Sequence, residues 1–291
     1  MLTAIKVKIN QLKKFVQIRG LRKTIYFLLW HVSLELRAQL KKFFKLGSWP
    51  DYIILGAQKG GTTSLYKYLN KHPDIKPAIK KEIHFFDKRF YKGKKWYKAQ
   101  FPSFKKGKIT GESTPSYIAH SVIAKKIHQL LPNIKLIILL RNPIDRTYSH
   151  YNMALRDGLE LNCFEEAIEL DLERLKNKEK KIIEKQRSSK YVNCSYLARG
   201  KYVEQLENWF KYFKKEQMLI IKSEDYFANP QKECSKIFKF LDVPDCQIPF
   251  RKHNKNTYNK MRPETREQLK KYFKPYNQRL YKLLGKDFGW N

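Results

Sequence analysis

Three small groups of residues in this chain have the types and spacing to handle an anion and move a proton beside it. The first lies in Asp51 to Leu69, DYIILGAQKGGTTSLYKYL, where Gly56, Gly60 and Gly61 punctuate the passage from an apolar run into a helical pattern. Glycines let main-chain N–H groups converge, and a new helix adds its unpaired N–H groups and positive dipole end. The turn Lys59, Gly60, Gly61, Thr62, Thr63, Ser64 therefore suits a phosphate or sulfate. Gly56 and Gly61 fit the nucleotide pattern G-x-x-x-x-G-K-[ST], but Thr62 stands where that pattern has lysine, and the lysine comes earlier, at Lys59. A triphosphatase would lack its charge clamp here. Read structurally, the same glycines only turn the chain.

The second group is Glu82 and His84, within KEIHFFD. If this piece is extended, Glu82, His84 and Phe86 share one face while Ile83 and Phe85 take the other. A carboxylate and an imidazole then point into one space, as removal of a proton from an attacking hydroxyl requires. The bland alternative is a solvated glutamate beside a surface histidine. The third group is Arg141 and Ser149: an arginine fork and a hydroxyl one or two helical turns on can together hold a terminal phosphate. Read alone, Arg141 serves equally as a surface ion-pair residue.

These groups need strands and helices to hold them. Tyr52 to Leu55 suits a buried strand, and Ile134 to Leu140, IKLIILL, is the most continuous apolar run in the chain. Asn142, Pro143 and Asp145 predict a helix start directly after Arg141, which places Arg141 at the carboxyl end of a central strand, where open α/β sheets bind ligands. Ile109 to Glu112 and Met218 to Ile221 are further strands, and helices are expected around Tyr202 to Phe213, through Ile237 to Leu241, and from Pro263 to Leu284 with Gly285 as its stop. The Tyr202, Leu206, Trp209, Phe213 stripe reads as core. Alternating strands and helices predict an α/β fold whose mostly parallel sheet is covered on both faces. Lys92 to Lys106 mixes Trp96, Tyr97, Phe101 and Phe104 with lysines, either as a platform for sugar rings or bases or as a cover over the core. Phe164 to Lys190 reads as a charged helix and a lysine-rich turn, either a lid or a solvated insertion.

Residues 1–49 form a separate basic, weakly helical segment, and Gly47, Ser48, Trp49, Pro50 mark the boundary with a domain over 50–291. Its densest apolar run, Ile25 to Trp30, is too short to cross a bilayer. Residues 1–46 are either an amphipathic helix on an anionic membrane surface or a helix packed on the domain. The formal charge of +34, from 61 Lys and Arg against 27 Asp and Glu, calls for anionic partners: nucleic acid, anionic lipid or acidic polysaccharide. Cys163, Cys194, Cys234 and Cys246 form no C-x-x-C pair and no metal-like cluster with histidine, so free thiols and no metal are expected.

Taken together, GAQKGGTTSL, KEIHFFD, GESTPSY, LRNPIDRTYSHY, RGKYVEQLENWF and the tail KPYNQRLYKLLGKDFGW resemble the sulfotransferase family. The similarity is greatest to its heparan sulfate branch, the glucosaminyl 3-O-sulfotransferases and N-sulfotransferases, and to bacterial relatives. The resemblance implies a P-loop, nucleotide-kinase-like three-layer fold and sulfuryl transfer from 3′-phosphoadenosine-5′-phosphosulfate to a hydroxyl or amine of a carbohydrate, without metal. Lys59 through Ser64 would hold the 5′-phosphosulfate, with Lys59 stabilising the departing phosphate. Arg141 and Ser149 would hold the 3′-phosphate, Glu82 would be the base, and His84 would orient the acceptor or assist. Lys255, between Asn254 and Asn256, stands where those relatives carry a Lys-Gly-Arg loop over the nucleotide. Relative to the animal enzymes the sequence lacks a membrane anchor and a disulfide-bearing insertion, so a cytoplasmic, bacterial-type enzyme is expected, peripheral to the inner face of the membrane if residues 1–46 bind there. The acceptor is expected to be an anionic glycan. The rival from another class is a basic protein that binds nucleic acid or another polyanion without chemistry; it would leave the conjunction of Lys59, Glu82, Arg141 and Ser149 a coincidence, so nucleic acid is not the expected partner.

Overall fold

The computed structural model describes residues 20–44, 46–103, 107–178, 195–250 and 259–290. Among the described residues five strands, β1 (Tyr52–Gly56), β2 (Ile75–Pro77), β3 (Ile109–Ser113), β4 (Lys135–Leu140) and β5 (Met218–Lys222), form one sheet in the order β2-β3-β1-β4-β5. All four pairings are parallel. The apolar runs explain this: a strand wet on neither face needs apolar side chains at every position, and Tyr52 to Leu55 and Leu136 to Leu140 are fully buried.

Alternate residues of these strands feed two separate cores. Ile53, Leu55, Leu136, Ile138 and Leu140 pack under helices Ser121–Leu130 and Tyr202–Trp209, with Leu280 of the last helix. Tyr52, Ile54, Ile137 and Leu139 face the other way, under helices Thr62–Leu69 and Pro230–Leu241. Helix, sheet and helix make the three layers, and the sheet is wholly parallel where the pattern required only mostly so. Tyr202, Leu206, Trp209 and Phe213 are core. Trp96, Tyr97 and Phe101 are buried too, so these rings of the aromatic and basic segment cover the core, while Phe104 lies outside the described residues. The last helix runs Pro263–Leu284, and Gly285 closes it with φ 64. Cys163, Cys234 and Cys246 are free. Cys194, Lys255 and the lysine-rich turn after Lys178 lie outside the described residues.

Helix Leu21–Phe43 precedes the sheet and packs on the domain through one side. Leu34 and Ala38 are buried, Lys41 Nζ donates to the Phe101 carbonyl at 2.9 Å, and Glu35 accepts from Trp96 Nε1 at 3.2 Å and pairs with Lys92.

At the carboxyl end of β3, Glu112 is fully buried. Tyr97 Oη donates to one of its oxygens at 2.6 Å and Thr114 Oγ1 to the other at 2.5 Å. Burial raises its pKa to about 7, against the opposing pull of these two hydroxyls. A carboxyl with its pKa raised on folding contributes fully below its unfolded value, and that contribution is lost as pH rises through the folded value. We expect Glu112→Gln to remove this dependence: from pH 5 to pH 8 its stability should gain on the parent's by up to about 3 kcal/mol. Urea unfolding at the two pH values measures it, and a difference independent of pH would refute the assignment.

Candidate active site

The loop between β1 and helix Thr62–Leu69 is shaped by close backbone approach. A Cβ at Gly60 would lie 2.7 Å from the Leu139 carbonyl oxygen, and Gly61 has φ 97, a conformation side chains rarely adopt. Gly60 N donates to Ala57 O at 2.9 Å, and the Ser223 hydroxyl donates to Gly60 O at 2.8 Å. The first main-chain bond within the helix is Leu65 N to Gly61 O at 3.1 Å, so the N–H groups of Thr62, Thr63 and Ser64 precede it at the positive end of the helix. Ser64 Oγ donates to Gly61 O at 2.8 Å and receives the Tyr226 hydroxyl at 3.2 Å.

Cations converge on this loop. Lys59 has φ 74, and Arg141 Nη1 donates to its carbonyl at 3.3 Å. Arg199 Nη1 donates to the Gln58 side chain at 3.1 Å. Burial, then the charges of Arg156 and Arg141, bring the Lys59 ammonium down to about 8. A partly buried cation among arginines marks a place where an anion would be stabilised. Arg141 follows β4, and the Asn142 side chain caps the next helix, Pro143–Arg156, by accepting from Ile144 N at 2.9 Å. Tyr202 Oη holds the Arg141 carbonyl at 2.9 Å, while Glu224 accepts from Asn142 N at 2.8 Å and from Trp290 Nε1 at 3.3 Å. The tail motif thus braces the turn that presents Arg141. Ser149 is buried on the same helix, and among the described residues no hydrogen bond joins it to Arg141.

Glu82 and His84 do meet, His84 Nε2 lying 3.4 Å from Glu82 Oε2, but the chain is not extended there. His84 takes φ 55 and Phe85–Arg89 forms a wide helical turn, which sends Phe86 into the core beside Phe85. The turn also brings round Asp87, whose Oδ2 lies 2.7 Å from His84 Nδ1 and accepts from Ser116 Oγ at 3.1 Å. His84 is therefore held between two carboxylates. Burial pulls its pKa down, and the bonds to Asp87 and Glu82 more than reverse this, so it is raised. Burial likewise acts to raise Glu82, yet His84 and Lys81 outweigh it and hold the carboxyl at about 2.

Lys81 connects the two halves. Its Nζ lies 2.6 Å from Glu82 Oε1 and donates to Thr63 Oγ1 at 2.8 Å, so one ammonium spans the glycine-rich loop and the carboxylate. Lys81, Asp87, Ser116, Arg156 and Arg199 carry this arrangement beyond what spacing alone indicated. Asp87 stands three residues after His84, a signal that becomes visible only if the segment is read as a helical turn. Beside helix Pro143–Arg156, a cavity of about 410 Å³ is walled by Tyr148, Tyr151, Phe164, Glu165, Lys260 and Arg262 among others. Its walls combine aromatic rings with charges of both signs.

Comparison with known proteins agrees with this geometry. The family model described as the sulfotransferase domain matches residues 49–286. The chain is 29% identical over 269 residues to heparan sulfate glucosamine 3-O-sulfotransferase 3B1 of Mus musculus, covering 83% of this chain and 65% of that one. It is 31% identical to the membrane-associated sulfotransferase kil1 of Dictyostelium discoideum, covering 84% of this chain and 67% of that protein. The alignments thus take in 62–65% of the length of the mouse and human 3-O-sulfotransferases 3A1 and 3B1. A solved sulfotransferase from Alicyclobacillus acidocaldarius superposes with a TM-score of 0.70 at 28% identity, over 84% of this chain and 99% of that one. With more than half its length matched by the family model and its loop, cations and carboxylates gathered at one end of a parallel sheet, the chain belongs to the sulfotransferase family.

Proposed function

We propose that this protein transfers a sulfuryl group from 3′-phosphoadenosine-5′-phosphosulfate to a hydroxyl or amine of an anionic carbohydrate. The observation that carries the reading is the Lys81 bridge, which ties the loop at Thr63 to Glu82. Support for the donor comes from the loop itself: a Cβ at Gly60 or Gly61 would crowd it, and Lys59, Arg141 and the helix N-terminus supply positive charge without an acid in the loop. Lys59 through Ser64 hold the 5′-phosphosulfate, and Arg141 with Ser149 takes the 3′-phosphate. Acceptor class rests on the glycan named for the 3-O-sulfotransferases and on the +34 charge.

In the transfer, the acceptor oxygen or nitrogen forms a bond to sulfur as the bond from sulfur to the bridging phosphate oxygen breaks. Glu82 takes the acceptor proton, and Lys59 neutralises charge building on the leaving phosphate. His84, fixed by Asp87, orients Glu82 and the acceptor. A carboxylate at about 2 is a weak base. An anion at Thr63 competes with Glu82 for Lys81, so filling the loop strengthens the base where it is needed.

Glu82→Gln should retain affinity for 3′-phosphoadenosine-5′-phosphate within about twofold while kcat falls by roughly 10²–10⁴; transfer at the parent rate would remove Glu82 from the role. Asp87→Asn should lower kcat by about tenfold or more and lower the His84 pKa, read by NMR titration, whereas a merely structural role would move Tm without moving that titration. The pH dependence of binding follows from Lys59. Its charged form attracts the anion and it loses its proton near pH 8 in the free protein, so affinity for the bisphosphate should be level below that and fall by at most about tenfold per unit above it. Lys59→Arg should stay level to pH 9, because arginine remains charged. Calorimetry between pH 6.5 and 9 decides this, and equal slopes for parent and variant would exclude Lys59 as the group.

A further inference from the structure

Helix Leu21–Phe43 displays its apolar side away from the protein. Leu21, Ile25, Leu29, Val32, Leu36, Leu40 and Phe43 are all exposed, Phe43 at 80%. Their spacings are all of three or four residues, which confines them to one stripe about 100° wide along a helix roughly 34 Å long. The contacts to the domain come from the opposite side, where Leu34 and Ala38 are buried and Glu35 and Lys41 are held by Lys92, Trp96 and the Phe101 carbonyl. A helix on a globular domain ordinarily turns its apolar stripe inward. Here, among the described residues, the stripe is left uncovered.

Charge selects what would cover it. Residues 1–46 contain eleven Lys and Arg and a single acid, Glu35. That acid, though partly exposed, is already paired with Lys92 and bonded by Trp96, so no unpaired carboxylate of this segment is left to attract a second cationic copy. Two chains meeting stripe to stripe would bring two such segments together with no opposite charge between them. An anionic bilayer surface meets both features, with acyl chains for the stripe and headgroups for the flanking cations. Among the described residues no helix is long and apolar enough to cross a membrane, which leaves the helix lying in the plane of the interface.

We propose that helix Leu21–Phe43 docks this protein on the surface of an anionic lipid bilayer through the stripe from Leu21 to Phe43. The reading is independent of the sulfuryl-transfer chemistry. The test uses the full chain and vesicles of phosphatidylcholine, with and without 30% phosphatidylglycerol, in a co-sedimentation assay at physiological salt. Binding should be at least about tenfold tighter to the anionic vesicles. The double variant Leu29→Ser/Leu36→Ser keeps the net charge and should lose at least about tenfold of that binding, while its Tm and its affinity for 3′-phosphoadenosine-5′-phosphate stay at parent values. Equal binding by parent and variant would mean that the basic surface adsorbs without the stripe and would overturn the proposal. So would absence of binding to either vesicle, or a dimer in sedimentation velocity that the double variant abolishes without any partition to lipid. If the double variant fails to fold, Leu36→Ser alone takes its place in the same assay: weaker binding than the parent supports the stripe, and equal binding overturns it.

Discussion

The site depends on one ammonium group being shared. Lys81 bonds Thr63 on the anion loop and Glu82 on the following segment, so two pieces of chain from different strand exits are held at fixed separation by a single charge. Without it, a half-exposed carboxylate and a cationic loop would still attract, but over a distance that solvent screens. With it, Glu82 stays ionised and close. The cost is basicity, since the contacts that position Glu82 also stabilise its charged form. In the proposed transfer, an anionic donor on the loop would compete with Glu82 for Lys81 and so relieve that conflict.

The parallel sheet decides which residues can take part. With β1 between β3 and β4, three successive strand exits open at one end. The exit of β1 supplies Lys59 to Ser64, that of β3 supplies Thr114 and Ser116, and that of β4 supplies Arg141. Thr114 joins two layers of this arrangement: its hydroxyl donates to buried Glu112 and accepts from His84 N at 3.5 Å. A wrong register in the β1–β3 pairing would move Ser116 off Asp87 and loosen the histidine, so the apolar pattern of the strands is indirectly a constraint on the chemistry.

Much of this was legible from residues alone, and the reasons are local. The IKLIILL run, the Asn142–Pro143 start and the Gly61 turn each follow from short-range rules about burial, capping and positive φ, and each stands where those rules put it. KEIHFFD was half legible. Alternation brought Glu82 and His84 together but put Phe86 with them, because it assumes extended backbone. The left-handed His84 replaces that with a wide turn, and Asp87 takes the place beside the imidazole. That conformation is set by distant contacts: Tyr117 Oη receives Phe86 N at 3.3 Å and Arg89 holds the Ile83 carbonyl at 2.6 Å. Arg156 and Arg199 were illegible for a similar reason, since they approach the Lys59 loop only through the packing of helices far apart in sequence.

The same packing connects the outermost helix with the reactive turn. Glu35 accepts from Trp96, Trp96 stacks on Phe85 at 6.3 Å with 24° between planes, and Phe85 is the residue after His84. Phe85 also lies flat on Tyr97, 4.3 Å away and 11° from parallel, and Tyr97 bonds Glu112. Close-packed aromatic rings resist sliding because every displacement opens a gap on one side and a clash on the other. The turn that carries His84 and Asp87 is thereby clamped from beneath by the layer on which helix Leu21–Phe43 rests. Glu35 keys this helix to Trp96, so the proposed lipid-facing helix and the turn that carries His84 rest on one aromatic layer.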